Sequence, residues 1–179
     1  MNTIFLKFRI PTDGLNGKMT MHARIIQLSK NRISKDEYID KDGFELEDYG
    51  RYNIDYIDDI EKSARKEEIA SMEREFPIKL FEVAGPNKVR FIDNTWELKN
   101  LLFSRIKSTI QETDVVRFFD SDKCRLTALL QKPFTDDLFV IDGIMYSSYN
   151  LIDYALRDNF SDGDTIYVGN ILDYHSCIF

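Results

Sequence analysis

Residues Leu138 to Ser147 read LFVIDGIMYS, two short apolar runs held apart by Asp142-Gly143. A two-residue hairpin loop of type I′ needs positive φ at both central positions. Glycine adopts that conformation freely and aspartate tolerates it, so the stretch predicts a tight antiparallel hairpin. Directly after it, Ser147 or Ser148 can cap a helix whose Leu151, Ile152, Ala155, Leu156 and Phe160 mark a narrow apolar stripe. Ser161-Asp162-Gly163-Asp164 stops that helix, and Thr165 to Val168 predicts a further strand.

The same order recurs upstream. Ile78 to Val83 and Val89 to Ile92 flank a Gly-Pro-Asn turn and predict a second hairpin. Asn94 with Glu97 three residues on has capping-box spacing, and Leu98, Leu101, Leu102, Ile106 and Ile110 recur on one face of a helix ending near Glu112. Val115 to Phe119 then predicts a strand, Asp120 to Lys123 a turn, and Arg125 to Gln131 another strand in preference to a short helix. Towards the N-terminus, Ile4, Leu6, Phe8 and Ile10 alternate with Phe5, Lys7 and Arg9, and Met19 to Leu28 follows a Gly-rich turn, so this too predicts a hairpin. The stretch Asp36 to Asp59 lacks periodicity and predicts a long loop, with an exposed helix from about Asp58 to Glu75.

These patterns predict an α+β fold of antiparallel β-hairpins, each followed by an amphipathic helix, in repeated ββαβ units. The expected segments are 1–76 (hairpin, acidic loop and helix), 77–132 (a ββαββ unit) and 133–179 (a ββαβ unit), separate or packed as one compact domain. At 179 residues the chain can bury a self-sufficient core.

Charge is segregated along the chain, whose net value is −7. Met1 to Lys35 holds seven Lys/Arg against one acid, whereas Asp36 to Glu61 holds eleven acids against Lys41 and Arg51. Lys62 to Lys132 is mildly basic, and Pro133 to Phe179 carries eight acids against Arg157. Two cysteines, Cys124 and Cys177, cannot build a disulfide framework, and every apolar run is interrupted by charge, so the expectation is a cytoplasmic protein with no membrane role.

Catalytic chemistry finds little footing. The histidines are His22 and His175, and His175 with Cys177 lies at an i,i+2 spacing that reads better as strand than as a nucleophilic pair. His22, His175, Cys124 and Cys177 lack the paired close spacing of a zinc site. Asp93 with Glu97 and Lys99 falls on a helix start rather than on the strand that a metal-dependent nuclease uses. Asp40 to Gly43 departs from a calcium loop because Tyr38 and Tyr49 stand where acids belong. No cofactor is expected.

The reading that follows is a non-enzymatic acidic binding protein whose partner is a basic protein surface. The expected contact residues are Asp36, Glu37, Asp40, Asp42, Glu45, Glu47, Asp48, Tyr49 and Tyr52, because carboxylates spaced along a surface imitate phosphates and tyrosines supply rigid contact area. Small acidic inhibitors of nucleic-acid enzymes, such as phage antirestriction and anti-CRISPR proteins, use this logic, and the likeness is one of composition. One alternative is a small metal-dependent enzyme using Asp120 and Asp122. The other is a nucleic-acid binder through Lys7, Arg9 and Arg24, disfavoured because the acidic segment that follows would repel phosphate.

Overall fold

The computed structural model describes residues 20–44, 54–119, 123–131 and 133–177. Their organising element is the last strand. Strand β1 spans Thr20–Ser29, β2 Ile54–Asp59, β3 Phe81–Gly85, β4 Lys88–Phe91, β5 Leu138–Ile141, β6 Ile144–Tyr146 and β7 Thr165–Cys177. Among the described residues these make one seven-stranded mixed sheet in the order β3-β4-β7-β1-β5-β6, with β2 also on β7.

At thirteen residues, β7 is long enough to serve three partners. β1 runs antiparallel along one edge, from Thr20 opposite Cys177 to Ser29 opposite Tyr167. The other edge is shared: β4 pairs with Thr165 to Tyr167, and β2 pairs with Leu172 to Ser176. On its far side β1 pairs parallel with β5, Ile25 opposite Leu138 through Leu28 opposite Ile141. A strand covered on both faces should be apolar throughout, and all four residues of β5 are buried.

The predicted turn between β5 and β6 is present, with Asp142 at φ 51° and Gly143 at φ 77°. Helices α1 (Arg65–Ser71), α2 (Thr95–Glu112), α3 (Val115–Arg117), α4 (Lys123–Gln131) and α5 (Ser148–Tyr154) complete the mixed architecture among the described residues. Ser147 caps α5 by accepting from the Asn150 N–H.

Alternation along the strands sorts side chains to two faces. On one, Ile26, Leu28, Phe139, Ile141, Val168 and Ile171 meet Phe76, Leu98, Leu151, Ile152 and Phe160 from the helices and their flanks. On the other, Ala23, Ile25, Leu138, Val140, Leu172 and Tyr174 join Ile54 and Ile57 of β2, roofed by Ile39, Phe44 and Met145. Each fully buried Leu, Ile or Phe contributes about 1.5–3 kcal/mol relative to an exposed one. Burial also raises the Tyr174 phenol well above its ordinary range, and its hydroxyl donates to the Asp136 carbonyl.

Several sequence expectations need correction. The expected ββαβ order is present at the C-terminal end, as β5, β6, α5 and β7, but the central unit departs from it, because its hairpin and helix are followed by helices. Val115 to Phe119 is not a strand: Asp114 accepts from the Arg117 N–H and starts a helical turn despite the paired valines. Arg125 to Gln131 lies within α4, where Leu126 and Leu129 at helical spacing are both half-buried. The helix expected from Asp58 begins at Arg65, since Ile54–Asp59 is strand. Asn94 precedes α2 as expected but makes no capping bond with its side chain, which donates instead to the Lys79 carbonyl at 2.7 Å. Ile110 lies outside the buried stripe. The strand at Thr3 to Ile10 lies outside the described residues.

Candidate functional site

The acidic segment 36–42 lies at the second face of the sheet, and apolar chemistry holds it there. Ile39 and Phe44 pack on the cluster around Ile25 and Leu172, while the acids between them face solvent. Gln27 supplies polar anchors: its Oε1 accepts from the Ile39 N–H at 3.1 Å and its Nε2 donates to the Glu37 carbonyl at 2.8 Å. Asn170 Nδ2 donates to the Ile39 carbonyl at 2.9 Å. The Arg65 guanidinium lies over the Tyr38 ring at 5.8 Å and also donates to the Val168 carbonyl.

Two short 3₁₀ turns, Lys35–Glu37 and Lys41–Gly43, shape the segment. The Glu37 carboxylate accepts from the Ser34 hydroxyl at 2.6 Å and from the Ser34 N–H at 2.8 Å, and these bonds hold its pKa below the usual range. Asp40 accepts from the Asp42 N–H at 3.1 Å. Asp36, Glu37, Asp40 and Asp42 are all exposed on this pinned framework. Glu45, Glu47, Asp48, Tyr49 and Tyr52 lie outside the described residues.

β2 extends the acidic surface. Ile54 and Ile57 turn inward, leaving Asp55, Tyr56 and Asp59 exposed. Asp58 accepts from the Asp59 N–H at 2.9 Å, from Lys41 at 3.4 Å and from the Tyr56 hydroxyl at 3.2 Å, which lowers its pKa in that order of cause. Lys41, Asp42, Asp55, Tyr56 and Ile57 line a shallow open depression. Tyr56 stands edge-on to His175 at 5.8 Å between ring centroids, so its ring is steadied while 53% exposed. Asp55 and Asp59 were legible only as part of an acidic run, because nothing local says that this stretch is a strand.

The alternative sites fare differently. Arg24 is buried and engaged by carboxylates: the backbone N–H and Nε donate to Asp137 Oδ1 at 2.9 and 3.2 Å, Nη2 pairs with Asp137 Oδ2 and Glu75, and Nη1 reaches Glu68 at 3.1 Å. It is not placed to meet phosphate. Lys7, Arg9, Asp120 and Asp122 lie outside the described residues. Among the described residues, no group of three or more His, Cys, Asp or Glu has the arrangement to hold a metal ion, and no helix is long and apolar enough to cross a membrane.

Comparison with known protein families, curated proteins and solved structures finds no match.

Proposed function

We propose that this protein is a non-enzymatic binding protein that lays its acidic face on a basic surface of a nucleic-acid-processing partner, as an inhibitor encoded by a phage or mobile element would. The observation that carries the reading is the joining of Asp42 to Asp55 and Tyr56 around one open depression, with Asp58 and Asp59 continuing along the same strand. Lys41, already bonded to Asp58, offsets only part of that charge. A field of one sign raises the association rate with an oppositely charged surface, and an ordered aromatic among the acids adds desolvated contact area. The anchoring by Gln27, Asn170 and Arg65 favours recognition too, since a pre-ordered loop loses less entropy on docking.

The test is capture of host proteins on the immobilised chain, with DNA as competitor. The expected captured proteins are nucleic-acid enzymes displaced by DNA and by rising salt. A variant carrying Asp42→Lys, Asp55→Lys and Asp59→Lys should lose capture while keeping its circular dichroism and Tm. Capture that survives the triple reversal, or that DNA fails to displace, would sink the proposal.

A further inference from the structure

Both histidines of the chain, His22 and His175, stand directly opposite each other where β1 pairs with β7. They are far apart in sequence, so only the sheet register brings them together. Directly opposed residues of an antiparallel ladder hold their Cβ atoms about 4.5–5.5 Å apart on one face of the sheet. Alternation places Asp173, two residues before His175 in β7, on that same face. From Asp173 to His22 is the diagonal of the ladder, about 7–8 Å. An imidazole and a carboxylate reaching from that separation can share one ion between them.

Two of these three donors are already together. His175 Nε2 lies 3.6 Å from Asp173 Oδ2, beyond the range of an N–H···O hydrogen bond. The distance is close to the roughly 3.4 Å that separates two ligands of a tetrahedral zinc ion whose bonds are about 2.0–2.2 Å. Tyr56, edge-on to the imidazole, steadies its orientation. With side-chain exposures of 27% for His175 and 34% for Asp173, the pair is open to an ion arriving from solvent.

We propose that His22, His175 and Asp173 form a binding site for one zinc ion, with water in the fourth position. Two imidazoles with one carboxylate suit zinc, whereas magnesium and calcium take oxygen ligands. The neighbouring charges permit a cation. Arg24, two residues from His22 on the same face of β1, is turned to Asp137, Glu68 and Glu75, which outnumber it. Lys41 is bonded to Asp58. Cys177 shares the face by alternation, but its four-residue separation from Asp173 is about 13 Å along a strand, further than both side chains can span through one ion. The observed approach of Asp173 to His175 therefore selects the carboxylate over the thiol. None of the three ligands is among the residues reversed to test the acidic face, so either reading can fail without the other.

Titrating zinc into chelator-treated protein should show one ion bound per chain and a raised Tm, while magnesium should leave Tm unchanged. Cobalt(II) in the same site should give the strong visible absorption of a four-coordinate ion without a thiolate charge-transfer band, a reading that needs no variant. His22→Ala, His175→Ala and Asp173→Ala should each weaken zinc binding by more than the about 10–100-fold that loss of a merely supporting residue costs, with circular dichroism unchanged. Cys177→Ser should bind as the wild type does. Absence of zinc binding, a cobalt spectrum of an octahedral or thiolate-bound ion, affinity that survives removal of either histidine, or loss of binding in Cys177→Ser would overturn the proposal.

Discussion

Gln27 and Gly169 face each other across the β1–β7 ladder so closely that a Cβ at position 169 would overlap the Gln27 carboxamide and come within 2.8 Å of Ile33 Cδ1. The register between the strands shifts here, between Ile26 and Leu28. In the space that glycine leaves, Gln27 Oε1 also accepts from the Asn170 N–H at 3.0 Å. One carboxamide thus ties the bulge of the central strand to the acidic segment, which links the sheet to the candidate contact surface.

Gly169→Val should therefore act at a distance. Crowding of this kind costs about 1–3 kcal/mol, and it should expel Gln27 from its bonds to Glu37 and Ile39. Hydrogen exchange is the direct measurement: the Ile39 amide should lose protection while that of Ile26, in the core of β1, keeps it. Gln27→Ala should produce the same selective loss, and protection of Ile39 at the wild-type level in either variant would refute the anchoring role.

Arg24 carries one positive charge among Asp137, Glu68 and Glu75. Arg24→Met would leave those carboxylates without their counter-charge in a largely buried site, a change that costs about 3–5 kcal/mol. Urea unfolding at neutral pH should register the loss through a lower midpoint with an unchanged slope. Retention of wild-type stability would show that the carboxylates are neutral or solvated there.

Glu75 makes the same cluster sensitive to pH. Burial, followed by the neighbouring Asp137 carboxylate, raises its pKa, and this outweighs the opposing pull of Arg24. A group whose folded pKa exceeds its unfolded one binds its proton more tightly when folded. Its stabilising contribution is complete below the ordinary glutamate range and is lost as pH rises through the raised value. Glu75→Gln should hence match the wild type in acid and exceed its Tm at neutral pH. A variant that is less stable at neutral pH would reverse the sign of this argument.

Gly143 adopts φ 77° in the β5–β6 turn, a conformation that costs a side-chain-bearing residue about 1–2 kcal/mol. Gly143→Val should lower stability by about that amount in thermal or urea unfolding. The loss should not be seen for Gly43→Ala, where a Cβ meets nothing within 4 Å and φ is not positive.

What the amino-acid sequence determined by itself is local chemistry. Asp142-Gly143 specifies its turn because the φ requirement lies within two residues, and Leu98 and Leu102 at helical spacing mark the buried side of α2 through helix geometry alone. The run of exposed acids from Asp36 onward was legible as charge for the same reason. Tertiary structure decided the rest. β2 could not be read from its residues, because a bulge between Ile54 and Tyr56 leaves its inward isoleucines three apart and erases the period of two. It becomes a strand because β7 extends far enough to offer it an edge. β7 itself was legible only to Val168, since the irregularity around Gly169 and Asn170 interrupts the alternation. At Val115-Val116 local β preference lost to the Asp114 cap. The candidate surface shares this origin. The joining of Asp42 to Asp55 depends on the pairing of β2 with β7, which is set between residues far apart in the chain.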